Sequence, residues 1–359
     1  MPQVLLHLKR AAPSLVPKDA LADLSAEGRR AAVLNLLHLA ELRQLAANHL
    51  IPSQIRYLVI KGVGISARYY AHVSLRQSRD IDLLVDPRRL LELTTALMDD
   101  GYRLSDARLV DNANDLRAYC AMHAEINMIS PRGVVIQLHQ LLDFTGCQYP
   151  VGTDELFDLA EPVAIGQDTH PVMPTLELFV YLAYHHGRHQ WSRLHWIADL
   201  DAVISHPSFD TNAVLARADV LGMRPVVRAA LDLHEVLTGK SEHASKPPLS
   251  KQLISDCLHY IQEDASPPEL ERESQRGTGS GIVKSWLRNF QFNWRANNHW
   301  HNRCRYIFSI SRPTYADYIF LPLPESLFWL YRLLRPIRWV YEIARGRPVG
   351  DLKSRPDAH

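Results

Sequence analysis

The 359-residue chain lacks several features that would narrow its chemistry at once. It has only four cysteines, Cys120, Cys147, Cys257 and Cys304, and no two of them have metal-ligand spacing. They read as reduced thiols of a cytoplasmic protein, with no disulfide framework to suggest export. A net charge of +1 leaves no global basic field, so there is no strong signal for a long nucleic acid. Long apolar runs are missing too. The first 18 residues are interrupted by His7 and followed through by Lys9 and Arg10, too short for a leader or a span. The apolar stretch at 318–334 contains Pro322, Pro324, Glu325 and Arg332, which excludes a transmembrane helix. What remains is a globular composition, 47% hydrophobic and 22% charged, with length for more than one domain.

The informative stretch runs from residue 57 to 85. An apolar strand, Tyr57-Leu58-Val59-Ile60, leads into Lys61-Gly62, a short helix over 64–72, Arg76-Gln77-Ser78-Arg79 and then Asp80-Ile81-Asp82-Leu83-Leu84-Val85. Side chains alternate across a strand, so Asp80 and Asp82 share one face and Ile81, Leu83 and Val85 the other. Two carboxylates side by side repel unless a cation lies between them. Hard oxygen ligands on a rigid strand suit Mg²⁺ or Mn²⁺, with water and phosphate oxygens completing the shell. Upstream, Gly62 allows a tight turn and close approach to a ligand. The following helix offers amides to phosphate, and Lys61, Arg76 and Arg79 add positive charge. A solvated acidic turn at a strand end is the plainer reading of an Asp-x-Asp pair; the Lys-Gly turn and the arginines argue against it.

These residues resemble the nucleotidyltransferase fold of the DNA polymerase β superfamily. More narrowly, Lys61-Gly62, Tyr70, Arg76, Ser78 and Asp80 to Val85 resemble the bacterial uncharacterised nucleotidyltransferase family. The likeness extends over about residues 29–340, through His185, His189, Trp196 and Asp199 in a helical half and Pro313-Thr314, Asp317 and Leu321-Pro322-Leu323-Pro324 near the end. It implies Mg²⁺-dependent transfer of a nucleotidyl group from a triphosphate, with ATP the expected donor, to an unidentified small-molecule, sugar or peptide acceptor. Asp80 and Asp82 would hold the metal, and Lys61, Gly62, Arg76 and Arg79 the phosphates. In that family a third acid stands before Leu-His on a later strand. Here the matching run ends Gln137-Leu138-His139, and a glutamine amide can coordinate but carries no charge. Three readings stay open: two carboxylates suffice, Glu125 reaches the site instead, or this copy has lost catalysis and keeps a nucleotide-binding or regulatory role. A tailoring enzyme of peptides or polysaccharides using another group transfer is a further alternative.

The rest of the chain supplies the scaffold. A helix over 29–50 places Val33, Leu36, Leu37, Ala40 and Leu45 at near-helical spacing and should pack on the sheet with them. Asp86-Pro87 opens another helix, and strands at 124–129 and 134–138 flank a Ser-Pro-Arg-Gly turn. The expected fold is α+β: a small mixed sheet with helices on one face, then a larger, mostly helical part. Its divisions are a lead-in (1–28), the nucleotidyltransferase-like domain (29–165), a helical domain (166–264), a flexible linker (265–281), a C-terminal helical segment (282–347) and a disordered tail (348–359). Residues 150–172, rich in Pro and Gly, read as a loop crossing between domains. Glu125, His139, His185 and His189 are candidates for the substrate side. His185 and His189, four apart on a helix, also have the spacing of a zinc pair, but the glutamate of the protease motif is absent. The C-terminal aromatic and basic helix is expected to pack on the helical domain in preference to a membrane surface.

Overall fold

The computed structural model describes residues 17–106, 110–143, 148–242, 246–262 and 279–344. Helix α1 (Lys18–Leu45) ends in a π-helical turn, Ala46–Leu50. The chain then lays down β1 (Tyr57–Val59), α2 (Val63–Tyr69), β2 (Asp80–Val85), α3 (Leu90–Asp99), β3 (Arg103–Leu104), α4 (Ala113–Met122), β4 (Glu125–Ile129) and β5 (Val135–His139). A short helix α5 (Thr153–Asp158) precedes the hairpin of β6 (Glu161–Ile165) and β7 (Asp168–Val172). All seven strands form one mixed sheet in the order β3-β4-β5-β2-β1-β7-β6. The fold is α+β, as expected, but residues 150–172 are not a loop crossing. The hairpin extends the sheet because Val172 pairs in parallel with Val59 on β1.

Helices α6 (Thr175–Arg188), α7 (Leu194–Ile204), α8 (Thr211–Leu221), α9 (Arg224–Leu237) and α10 (Pro248–Gln262) form the helical half. They are followed by α11 (Gly279–Ala296), α12 (Trp300–Ser309), α13 (Tyr315–Phe320) and α14 (Tyr331–Ala344). The expected linker at 265–281 lies mostly outside the described residues, though Gly279 and Gly281 already belong to α11. Residues 1–16 of the lead-in and the expected disordered tail also lie outside them.

The two-residue period of the strands explains why the sheet has two cores. Tyr57, Val59, Ile81, Leu83 and Val85 pack with Leu42 and Leu45 of α1, Leu90, Leu93 and Leu97 of α3, and Leu116 and Tyr119 of α4. Leu58, Ile60 and Leu84 point the other way, into a core shared with Phe179 and Leu182 of α6 and Trp196 and Leu200 of α7. Helices therefore cover both faces, not one, and the site lies on the face turned to the helical half.

Two elements pack differently from expectation. Helix α1 turns Ala31, Asn35, His38, Glu41, Leu42 and Leu45 inward and leaves Val33, Leu36 and Leu37 exposed. Two of its polar inward residues have partners: Asn35 donates to the Val73 and Arg76 carbonyls at 2.7 and 2.8 Å, and Glu41 accepts from the Tyr102 hydroxyl at 2.5 Å. The end of the chain packs on α4 and not on the helical half: Tyr315, Tyr318 and Tyr331 join the core beneath the sheet, and the Tyr318 hydroxyl donates to Asp115 at 3.0 Å.

Candidate functional site

Strand β2 runs antiparallel to β1 and parallel to β5, and this register brings the site together. Asp80 lies beside Val135, Asp82 beside Gln137 and Leu84 beside His139. On β5's other side, Asn127 faces Gln137 and Glu125 faces His139. Asp80, Asp82, Gln137, His139 and Glu125 thus occupy one face of three adjacent strands, as alternation requires.

The two aspartates have opposite surroundings. Asp82 is 3% exposed; the Lys61 ammonium lies 2.9 Å from its Oδ1 and His139 Nε2 lies 3.1 Å from the same oxygen. Burial alone would raise its pKa, but the Lys61 charge and the His139 hydrogen bond override burial and hold the carboxyl well below the usual range. Burial likewise opposes the Lys61 charge, and Asp82 reverses that, so the ammonium is held above its ordinary value. Asp80 is half-buried, and no side-chain hydrogen bond or ion pair reaches it among the described residues. Burial and then the Asp82 charge push its carboxyl up to about 6. Glu125 does not reach the aspartates; its Oε2 lies 3.5 Å from His139 Nδ1, so His139 stands between Glu125 and Asp82.

The turn before α2 is built around Gly62. Its φ is +60°, and a Cβ there would meet Ser78 Oγ at 2.7 Å, so both backbone shape and space require glycine. Ser78 Oγ donates to the Asp80 carbonyl at 2.8 Å, which ties the turn to the start of β2. The amides expected at phosphate are partly committed: Gly64 N–H donates to Lys61 and Ser66 N–H to Gly62.

Arg76, expected at phosphate, is engaged by a carboxylate of the helical half. Its guanidinium grips Asp199 of α7 through two hydrogen bonds of 2.8 Å, and the Tyr70 hydroxyl adds a third to Asp199 at 2.7 Å. Arg76 is 8% exposed and Asp199 fully buried. The fork of the guanidinium matches the carboxylate, so Arg76 joins the sheet to the helical half. Arg79 is exposed one residue before Asp80, and its charge, with those of Arg76 and Arg193, bears on the ring of His195.

His185 and His189 lie on the wall opposite, with ring centroids 5.3 Å apart, and both feel the Lys61 charge. Around Trp196 gather His186, stacked at 4.8 Å, His189 at 5.7 Å and the Arg193 guanidinium at 5.1 Å. Burial, then Arg188 and Lys61, push His189 down to about 3; His185 and His186 lie well below the ordinary value for the same kinds of reason. The connection between α6 and α7 carries Gln190 and Trp191 at positive φ, 59° and 53°, backbone strain of the kind that collects at functional sites. Arg188 and Arg193 belong to this wall and were not singled out in the sequence; the signal was their position flanking His189 in Gly187-Arg188-His189-Gln190-Trp191-Ser192-Arg193.

No group of three or more His, Cys, Asp or Glu side chains among the described residues forms a metal cage, and His185 with His189 makes no zinc set. The oxygens on offer are those of Asp80 and Asp82 with the Gln137 amide alongside, a partial set that a hard divalent ion completes from water and phosphate. Asp80 is the test of fit. A half-buried carboxyl crowded by a second acid, with no cation in contact with it, holds its proton more tightly than usual, so the residues suit a divalent ion. A search of the curated proteins finds no match to the chain. Residues 1–239, however, match the family profile described as "Uncharacterised nucleotidyltransferase". The chain therefore belongs to the uncharacterised nucleotidyltransferases, enzymes that transfer phosphorus-containing groups.

Proposed function

We propose that the cleft between the sheet and the helical half binds a nucleoside triphosphate, with ATP the expected donor, and transfers its nucleotidyl group to a hydroxyl or phosphate of a small molecule, sugar or peptide. The observation that carries this reading is the pair Asp80 and Asp82, one buried and paired, one crowded and unpaired, on a face opposed by a cationic wall. Asp80 and Asp82 would hold Mg²⁺ or Mn²⁺, which when bound supplies charge neutralisation at the triphosphate and the leaving pyrophosphate. Lys61 and Arg79 on the sheet side, and Arg188 and Arg193 on the helical side, supply positive charge for the phosphates. The neutral histidines His185 and His189 can donate hydrogen bonds to phosphate without adding charge, and an arriving anion would raise their proton affinity. His139, held between Asp82 and Glu125, fixes the Asp82 carboxylate toward the cleft.

The test is pyrophosphate release from each nucleoside triphosphate with Mg²⁺ and a cell extract as acceptor source, alongside calorimetry of nucleotide binding. Release with any nucleotide supports the reading; neither release nor binding removes it.

Gln137 favours a second reading, a nucleotide-binding protein of weakened catalysis, because it stands in register with Asp82 where an acid would complete a second metal site. Gln137→Glu separates the two. If the site is active but short of charge, the variant should bind Mg²⁺ at least about tenfold more tightly and turn over faster. Tighter metal binding with no turnover would favour the binding role.

A further inference from the structure

The last helix is amphipathic in the reverse sense. Toward the protein, α14 presents charge and hydroxyl: Arg338 is buried, with its Nε 2.7 Å from Asp317 and its NH1 2.6 Å from Glu342. Tyr331 is buried with it, donating to the Leu321 carbonyl at 2.8 Å and accepting from Leu323 N–H at 2.9 Å. Toward solvent the helix presents Leu333, Ile337 and Val340, continued on the preceding turn by Trp329, all between 60 and 68% exposed. Residues 329, 333, 337 and 340 recur every three or four positions and so form one stripe. Tyr341 and Phe320 widen it, their rings in edge contact at 5.4 Å. A patch this continuous marks a surface that another phase or molecule covers.

Charge decides between the candidates. From residue 331 to 347 the sequence carries Arg332, Arg335, Arg338, Arg345 and Arg347 against Glu342 alone. Arg338 and Glu342 are spent on each other and on Asp317. The surplus is positive, and Arg332 lies exposed at the edge of the stripe, next in sequence to Leu333. Two copies of the chain meeting through this face would bring Arg332 toward Arg332. An anionic lipid surface meets the same arginines with opposite charge and accepts the apolar side chains among its acyl chains. Trp329 and Tyr341, apolar with a polar edge, suit the headgroup level. No helix among the described residues is long and apolar enough to cross a membrane, so the contact is with the surface.

We propose that the outward face of α14 docks the protein on an anionic lipid surface, with Leu333, Ile337, Val340 and Trp329 entering the interface and Arg332 pairing with headgroups. This does not depend on the reaction in the cleft. The full chain is sedimented with vesicles of phosphatidylcholine alone and of phosphatidylcholine mixed with phosphatidylglycerol. It should follow the anionic vesicles only and be released by high salt. Leu333→Gln, Ile337→Gln and Val340→Gln together should weaken binding by at least about tenfold, and Arg332→Gln should weaken it less. These positions are exposed, and an unchanged circular dichroism spectrum confirms that the variant folds. Failure to sediment with anionic vesicles, or a triple variant that sediments as well as the parent, overturns the proposal. So does a triple variant whose only change is a smaller oligomer by light scattering, which would make the face a contact between copies.

Discussion

Asp80→Asn and Asp82→Asn should each lower nucleotidyl transfer by about 10³-fold or more, while moving the stability of the metal-free protein in opposite directions. On the proposed reading, the activity loss comes from removing a metal-ligand charge beside the triphosphate. The stability split follows from the surroundings of each carboxyl. Asp80 is displaced from an ordinary 3.8 to about 6, so its folded-state proton is bound more tightly than its unfolded one. Below pH 4 it is protonated in both states and adds no penalty. Between about 4 and 6 the folded state must hold the proton or pay for its loss, and above 6 the penalty is complete, at about 3 kcal/mol. Asp80→Asn removes it, so the chelator-treated variant should melt higher than the parent at neutral pH, with the difference fading toward pH 4. Asp82 works the other way. Its carboxyl is held below the usual range, so its contribution is present above about pH 4 and is lost as pH falls. Asp82→Asn leaves the Lys61 ammonium buried without its anion, a loss of about 3–5 kcal/mol. Melting curves of the three proteins at pH 7.5 and pH 4, beside pyrophosphate release, check both parts. Two inactive variants that melt alike would show that the aspartates do not have the unequal surroundings described, and two active ones would remove them from the reaction.

The part of this arrangement legible in the sequence is the part set by local periodicity. Asp80 and Asp82 share a face because strands alternate, and a run of six residues is enough to fix that; Gln137 joins them through the register of β5 on β2, which only the resemblance to the family implied. The β4–β5 hairpin was legible in the same way, from a turn whose Gly133 adopts φ +80°. What escaped depends on partners distant in the chain. The inward face of α1 is polar because Asn35 caps the carbonyls of a loop some forty residues on and Glu41 meets Tyr102; hydrophobic spacing cannot encode such pairs. The β6–β7 hairpin is short and marked by Pro162 and Pro171, residues that ordinarily disfavour strands, and only its pairing with β1 makes it part of the sheet. Arg76 was legible as a cation near the aspartates, but its ion-pair partner was not, because Asp199 lies 123 residues away.

Asp199→Ala should destabilise the protein by about 3–5 kcal/mol and raise the nucleotide KM in whatever fraction remains folded. Asp199 is fully buried and accepts from Arg76 twice and from Tyr70 once. Burial disfavours the Arg76 charge, and Asp199, with lesser help from Tyr70 and Asp82, outweighs it, keeping the guanidinium's proton affinity above ordinary. Without the carboxylate, a cation that cannot deprotonate is left in the interior. Arg76→Lys should recover only part of the loss after the reverse experiment, because an ammonium cannot reproduce the two-toothed contact. The double variant Arg76→Met with Asp199→Leu is the informative control. Replacing a buried ion pair by apolar side chains of similar volume is often neutral or stabilising, so the double variant should melt near the parent. Its kinetics then isolate position from stability. The ion pair joins β2's leading loop to α7, which carries Trp196 and follows directly on Arg193, so a wall held only by packing should present those groups less accurately to the triphosphate. A double variant with parental melting but a raised KM would assign the pair to positioning the wall. A single Asp199→Ala variant that melts like the parent would mean that Arg76 finds water or another anion once released, and the buried pair would then hold nothing in place.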